Sequence, residues 1–250
     1  PLLIKDYAMF FREVNIDRNK EQRINSDLSK RYFTRYLNSN NLNSPLLDLL
    51  GVKYLLALKR DSENVRPWGE INNINIDLSR YQKVFEDGVT VVLINRTSLP
   101  RASLYYKVET EENTDRAIEK LGAGFDFRNI LIVDQKVTKE FSFEKKDEVE
   151  ITSYEATKVN LEANTENGAF LLLTDTFYPG WQVKVNGEKK KILRAFGVFR
   201  AVEVGSGKSL VEMTYRPTSF RIGLIISTIS LTILLFFTAS PKVWRKSQMS

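Results

Sequence analysis

The sequence predicts an α+β portion followed by an antiparallel β-sandwich and then one C-terminal transmembrane helix. Three observations lead there. Helix and strand patterns are mixed up to about residue 140. After that point only short, mostly alternating strand patterns occur. Finally, Ile222 to Ser240 runs nineteen residues without a charge.

Residues 1–44 read as a helical or irregular lead-in, with "DYAMFFREV" as a short helix and "NSNNLNSP" as a breaker cluster at its end. The second portion spans 45–140. It opens with "SPLLDLL", a helix start in which Ser44 stands as N-cap and Pro45 takes the first helical position. Gly51 stops that helix, and "VKYLLAL" follows as a buried strand. "YQKVFEDGVTVVLINR" has the form of a hairpin, with Asp87-Gly88 as a two-residue turn that needs positive φ. "ASLYYKVE" reads as one strand. "NTDRAIEKLGAG" reads as a helix capped by Asn113 and ended by Gly122, and "NILIVDQK" returns as a strand.

Residues 141–219 carry seven short strand patterns, among them "AFLLLTDT", "WQVKVNG", "KKILRAF" and "VFRAVEVG". Trp181, Val183 and Val185 alternate with Gln182, Lys184 and Asn186, the period of a half-buried strand. Turn signals at Pro179-Gly180, Asn186-Gly187 and Gly205-Ser206-Gly207 separate the strands. Short strands at roughly ten-residue spacing indicate a sandwich of jelly-roll or immunoglobulin-like type.

The uncharged run spans roughly 28 Å as a helix, close to the hydrocarbon thickness of a bilayer. It places a transmembrane helix at 220–240 and a tail at 241–250. Arg216, Phe220, Arg221, Lys242 and Trp244 fall where interfacial cations and aromatics belong. The basic tail "KVWRK" predicts a cytoplasmic C-terminus, and residues 1–219 on the other side of the membrane. Small residues at Gly223, Ser227 and Ser230, beside Thr228 and Thr232, suit close packing against further membrane helices. A start at Pro-Leu-Leu without Met is read as a piece of a longer protein. Asn95-Arg96-Thr97 has the form of a glycosylation sequon.

Composition narrows the chemistry. The 250 residues contain no Cys and no His, which excludes disulfides, thiol nucleophiles and a Ser-His-Asp triad within this chain. No metal site and no cofactor are expected. The net charge of +6 is spread among acids rather than gathered on one face, so nucleic acid is not an expected partner.

The stretch "TDTFYPGWQVKVNG" concentrates an acid and aromatics around two turns. Read as architecture, Pro179-Gly180 turns the chain into a strand and Trp181 faces the core. Read as a ligand site, Tyr178 and Trp181 form a stacking platform for a sugar, with Asp175 accepting hydroxyl hydrogen bonds. Arg194 and Arg200 on neighbouring strands are either solvated strand-edge residues or ligands for an anionic headgroup.

"FYPGWQVKVNGEKKKILRAFGVFRAVEVGSGKSLVEMTYRPTSFRIGLIIS" resembles the C-terminal end of the YfhO-like family of bacterial multi-pass membrane proteins. The resemblance rests on a Tyr-Pro-Gly-Trp turn, a following strand with an Asn-Gly turn, and a Tyr-Arg-Pro run into a membrane helix. "LLDLLGVKYLLA" and "SLPRASL" resemble earlier segments of the family in the same order. The resemblance implies a GT-C-type glycosyltransferase that uses polyprenyl-phosphate sugar donors to decorate cell-envelope glycans. Its catalytic carboxylate is expected in an early loop with no counterpart here, so no catalytic residue is carried over. On this reading the chain positions acceptor glycan or braces the membrane core. The expected partners are the lipid bilayer, upstream transmembrane helices, and envelope glycan or polyprenyl-linked sugar. The competing reading is a non-enzymatic, membrane-anchored binding or adhesion module. A carboxylate-dependent hydrolase would need two acids converging in a cleft.

Overall fold

A computed structural model describes residues 2–14, 42–58, 76–88 and 90–239. It is built mainly of antiparallel and mixed β-sheet, with few helices and one long apolar helix at the end of the described chain. The basic tail with Lys242 and Trp244, the side chain of Arg221, and most of the Asn-rich segment lie outside the described residues.

Helix α1 (Leu2–Val14) buries Phe10 and Val14. Helix α2 (Leu46–Leu49) begins one residue later than expected, and no side chain caps it; the Ser44 carbonyl instead accepts from the Leu47 amide at 3.1 Å. Gly51, at φ +67°, ends it as expected. Strands β1 (Tyr54–Leu58), β2 (Tyr81–Glu86) and β3 (Thr90–Asn95) form a three-stranded sheet in the order β1-β3-β2. The β2–β3 connection is not the two-residue turn expected. The strands stop at Glu86 and resume at Thr90, Gly88 is not among the positive-φ glycines, and the Asp87 carboxylate accepts the Thr90 amide. One face of this sheet buries Leu55, Tyr81, Val91 and Leu93. Tyr54, Leu56, Val84 and Phe85 stand exposed.

"ASLYYKVE" is two strands, not one. Strand β4 (Ala102–Tyr105) pairs antiparallel with β9 (Ala169–Thr176), and β5 (Lys107–Thr110) pairs parallel with β6 (Ile130–Val133). With β12 (Leu193–Ala195) and β13 (Phe199–Val204), these make a six-stranded sheet in the order β4-β9-β13-β12-β6-β5, of which β4 and β5 are the opposite edges. A single residue, Tyr106, joins the edges, so the sheet curls on itself. Between β5 and β6, helix α3 (Thr114–Gly122) starts where the Asn113 side chain accepts from the Arg116 amide at 3.1 Å. The length of a parallel crossover requires such an element.

The second sheet has five strands in the order β11-β10-β14-β8-β7. They are β7 (Glu148–Tyr154), β8 (Lys158–Thr165), β10 (Trp181–Val185), β11 (Glu188–Lys190) and β14 (Gly207–Tyr215). "KKILRAF" splits between the sheets. Its start belongs to β11, while β12 (Leu193–Ala195) joins β13 (Phe199–Val204) in the six-stranded sheet. That sheet draws β4, β5 and β6 from before residue 140 and β9, β12 and β13 from after it. The sandwich therefore extends across the position at which the sequence divides the chain.

Alternation along β9 and β13 explains the layers. Leu171, Leu173, Val202 and Val204 pack with Leu161, Val183, Val211 and Met213 of the five-stranded sheet. Phe170, Leu172, Phe199 and Ala201 pack on the other side with residues of α1, α2 and α3. Asp48, inside the apolar run of α2, is 2% exposed. It accepts from Arg80 and Asn95 at 2.8 Å each and from Thr97 at 3.0 Å, and it pairs with Arg128. This hub ties α2 to the three-stranded sheet. It also overturns the sequon reading: the Asn95 amide nitrogen is buried and donates to Asp48 and to the Val52 carbonyl.

Strand β14 passes through Arg216-Pro217 into α4 (Thr218–Ala239). At 22 residues, α4 is roughly 33 Å long. Its apolar side chains are exposed along its length. The hydroxyls of Thr228 and Thr232 donate to the carbonyls of Leu224 and Thr228 at 2.8 Å each, so they are satisfied within the helix.

Candidate functional site at the sheet–helix junction

The site lies at the end of the sandwich from which α4 departs. Asp175 follows Leu171 and Leu173 on the interior face of β9, and Arg200 precedes Val202 and Val204 on the interior face of β13. Period-two alternation therefore sends one acid and one base into the same core. Arg200 is 2% exposed and Asp175 is 8% exposed. Arg200 Nη2 donates to Asp175 Oδ2 at 2.7 Å. The Arg200 guanidinium lies 3.8 Å from the centre of the Trp181 ring, a cation–π contact shielded from water. Its Nη1 is 3.9 Å from the sulfur of Met213, and its Nε is buried without a hydrogen-bond partner among the described residues. Burial holds the Arg200 pKa below its usual value, and the Asp175 charge opposes that effect.

Asp175 is shared with a second guanidinium. Arg101 Nε donates to Oδ1 at 2.8 Å and Nη2 approaches the same oxygen at 2.7 Å. The Tyr154 hydroxyl donates to Oδ2 at 3.0 Å, and the Arg101 guanidinium sits 4.3 Å from the Tyr154 ring centre. Burial, then the hydrogen bond to Asp175, pushes the Tyr154 hydroxyl above its ordinary pKa. One carboxylate on β9 thus holds a hydroxyl from β7, a guanidinium from β13 and a second guanidinium from the residue just before β4.

From Trp181 the aromatic contacts continue outward. Tyr215 lies 5.4 Å from Trp181 and 6.0 Å from Tyr178, ring centre to ring centre. Trp181 is partly buried, and Arg200 covers one face of its ring. Tyr178 is 42% exposed. Gly180 sits at φ +111°, and its carbonyl accepts the Arg216 amide at 2.7 Å. A Cβ on Gly180 would come within 3.0 Å of Pro217 Cα and of the Tyr215 ring. The turn is pressed against the point where strand becomes helix.

The structure therefore brings together Asp175, Trp181 and Arg200 and, through Tyr215, Tyr178. Arg200 is not a solvated strand-edge residue, because its position on β13 faces the core. Arg194 is held elsewhere although it is the register partner of Arg200. It donates to Asp6 at 3.3 Å and Thr114 at 3.1 Å, and it lies 4.7 Å from the Phe177 ring centre. Sequence reasoning missed Arg101, Tyr154 and Tyr215. The inward positions of Asp175 and Arg200 were the available signal for a buried ion pair. Among the described residues, no group of three acidic, His or Cys side chains could hold a metal ion.

Comparison with known proteins bears on this same region. The family described as "Bacterial membrane protein YfhO" matches residues 130–227, from β6 through the junction into α4. A curated Bacillus subtilis (strain 168) protein, "Uncharacterized protein YfhO", is 24% identical over 121 residues. Over this stretch the chain is similar to that family. The Bacillus match covers 47% of this chain and 14% of the Bacillus relative. No solved structure matches the chain. The family description and, among the described residues, one helix long and apolar enough to cross a bilayer together support a membrane location.

Proposed function

We propose that this chain is the extracytoplasmic, membrane-proximal domain and one spanning helix of a multi-pass glycosyltransferase. That enzyme would draw on polyprenyl-phosphate sugar donors to modify cell-envelope glycans. This portion braces the membrane core or positions the acceptor, and the chemistry resides in other parts of the protein. The observation that carries this reading is the junction. Strand β14 enters α4 through Arg216-Pro217, and the Gly180 turn packs against Pro217, which supports a domain held close to its membrane helix. The buried acids support the bracing role. Asp175 and Asp48 are each occupied by two guanidinium groups, the environment of structural ion pairs rather than of a general acid or base.

The test is sugar transfer in membranes that contain the whole parent protein, with a radiolabelled polyprenyl-phosphate sugar. Transfer that requires this domain, with none from the 250-residue chain alone, is the expected result. Transfer by the chain alone would overturn the bracing role.

A second reading, a membrane-anchored binding module, draws on the exposed apolar side chains Tyr54, Leu56, Val84 and Phe85 of the three-stranded sheet. It predicts intact envelope glycans when the gene is deleted, together with loss of a protein partner in cross-linking.

A further inference from the structure

We propose that the α4 end of the sandwich is a docking rim for the phosphates of anionic bilayer lipids, formed by Arg101, Tyr154, Tyr178 and Arg216. The rim is continuous. Arg101 stacks on Tyr154, Tyr154 bonds to Asp175, Asp175 pairs with Arg200, and Arg200 covers Trp181. Trp181 and Tyr178 both pack on Tyr215, and Arg216 follows at once. All of these groups sit at the strand ends nearest α4, because Trp181 is the register partner of Tyr215 and only Arg216 and Pro217 separate that residue from the helix. A bilayer that receives α4 therefore meets this end of the domain first.

The outward groups suit a headgroup layer. Tyr154 is 48% exposed, and the Arg101 side chain is 53% exposed. Tyrosine combines an apolar ring with a polar tip, and guanidinium is matched in shape to phosphate. Charge favours the same occupant. One Asp175 carboxylate serves both Arg101 and Arg200, which leaves a positive excess, and Arg216 adds to it. Glu155 lies at the same end, and Lys158 there is paired with Glu212 at 2.7 Å. The buried Arg200–Trp181 contact stiffens the base of the rim. The proposal rests on membrane location alone and is independent of the sugar-transfer reading.

The absence of cysteine in the sequence makes a clean test possible. Single cysteines replace Thr157 or Tyr178 at the rim, or Ser206 in the turn at the far end of β14, roughly 30 Å away. Each variant of the whole chain carries a spin label and is reconstituted in nanodiscs of phosphatidylcholine, alone or mixed with phosphatidylglycerol. Circular dichroism confirms folding. The expected result is that labels at 157 and 178 lose access to a water-soluble nickel relaxer and gain access to oxygen, relative to 206. The difference should grow with phosphatidylglycerol, and Arg101→Gln with Arg216→Gln should abolish that growth. Rim labels that behave like the label at 206, or a lipid response unaffected by the two glutamines, would overturn the proposal. So would a response to added polyprenyl phosphate but not to phosphatidylglycerol, which would make the rim a donor site.

Discussion

Asp175 carries the greatest single burden among the side chains of the junction. Removing its charge leaves Arg200 ionised in an interior where, among the described residues, no other carboxylate pairs with it. Breaking a buried pair from one side costs roughly 3–5 kcal/mol. Asp175→Asn should therefore lower the denaturant midpoint by that equivalent, whereas replacing Asp175 and Arg200 together by apolar residues of similar volume should recover much of the loss. Arg101→Gln should cost far less, because that guanidinium is half in solvent. Trp181 is a milder case than a fully enclosed aromatic, for which truncation costs roughly 3–5 kcal/mol. Part of its ring is open, so Trp181→Ala should cost about 2–3 kcal/mol, most of it from uncovering Arg200. A denaturation series with Trp181→Phe, which keeps a ring beneath the cation, separates the two contributions. These charges were legible in principle. Leu171, Leu173 and Asp175 share one parity, as do Arg200, Val202 and Val204, and both sets are otherwise apolar. Arg101 was not legible, since it precedes a strand whose sheet partner lies far along the chain.

At the level of elements, the junction turn decides how firmly the domain is held to its helix. Gly180 adopts a φ that side chains rarely tolerate, and a methyl group there would press on Pro217 and Tyr215. Gly180→Ala should cost roughly 1–3 kcal/mol through strain. It should also make the chain at Tyr215 more sensitive to chymotrypsin, read by digestion against the parent chain. A melting temperature and digestion pattern equal to the parent's would show that the turn does not clamp the helix. Elements with a strong local signal were read correctly: the Asn113-capped helix, the strand beginning at Trp181 and the long apolar span. Those that failed did so for lack of a local signal. The break at Tyr106 and the switch of sheet between Lys190 and Leu193 occur inside continuous strand-like sequence. Only the pairing partners divide those stretches: the distant β9 takes β4, and the hairpin with β13 draws β12 into the six-stranded sheet. The helix start at Ser44 failed on a smaller scale, because the Ser44 backbone carbonyl, not its hydroxyl, serves the first turn.

For the molecule as a whole, orientation is the property most open to measurement. With the basic tail in the cytoplasm, external protease on intact cells should cut the Asn-rich segment near Asn40 and spare an epitope fused after Ser250. The reverse pattern would invert the topology and remove the envelope-glycan reading with it. The sheet order also has a consequence for biogenesis. Strand β14 is the middle strand of its sheet, between β10 and β8, yet it is the last of the five to be synthesised. Until it emerges from the ribosome, the β7–β8 and β10–β11 hairpins exist as separate halves with open edges. The residues that emerge immediately behind it are those of the apolar helix. Closure of the sheet and entry of the helix into lipid thus occupy one short interval of translation. A nascent chain stalled before Gly207 would present two unpaired strand edges to whatever chaperone waits on that side of the membrane.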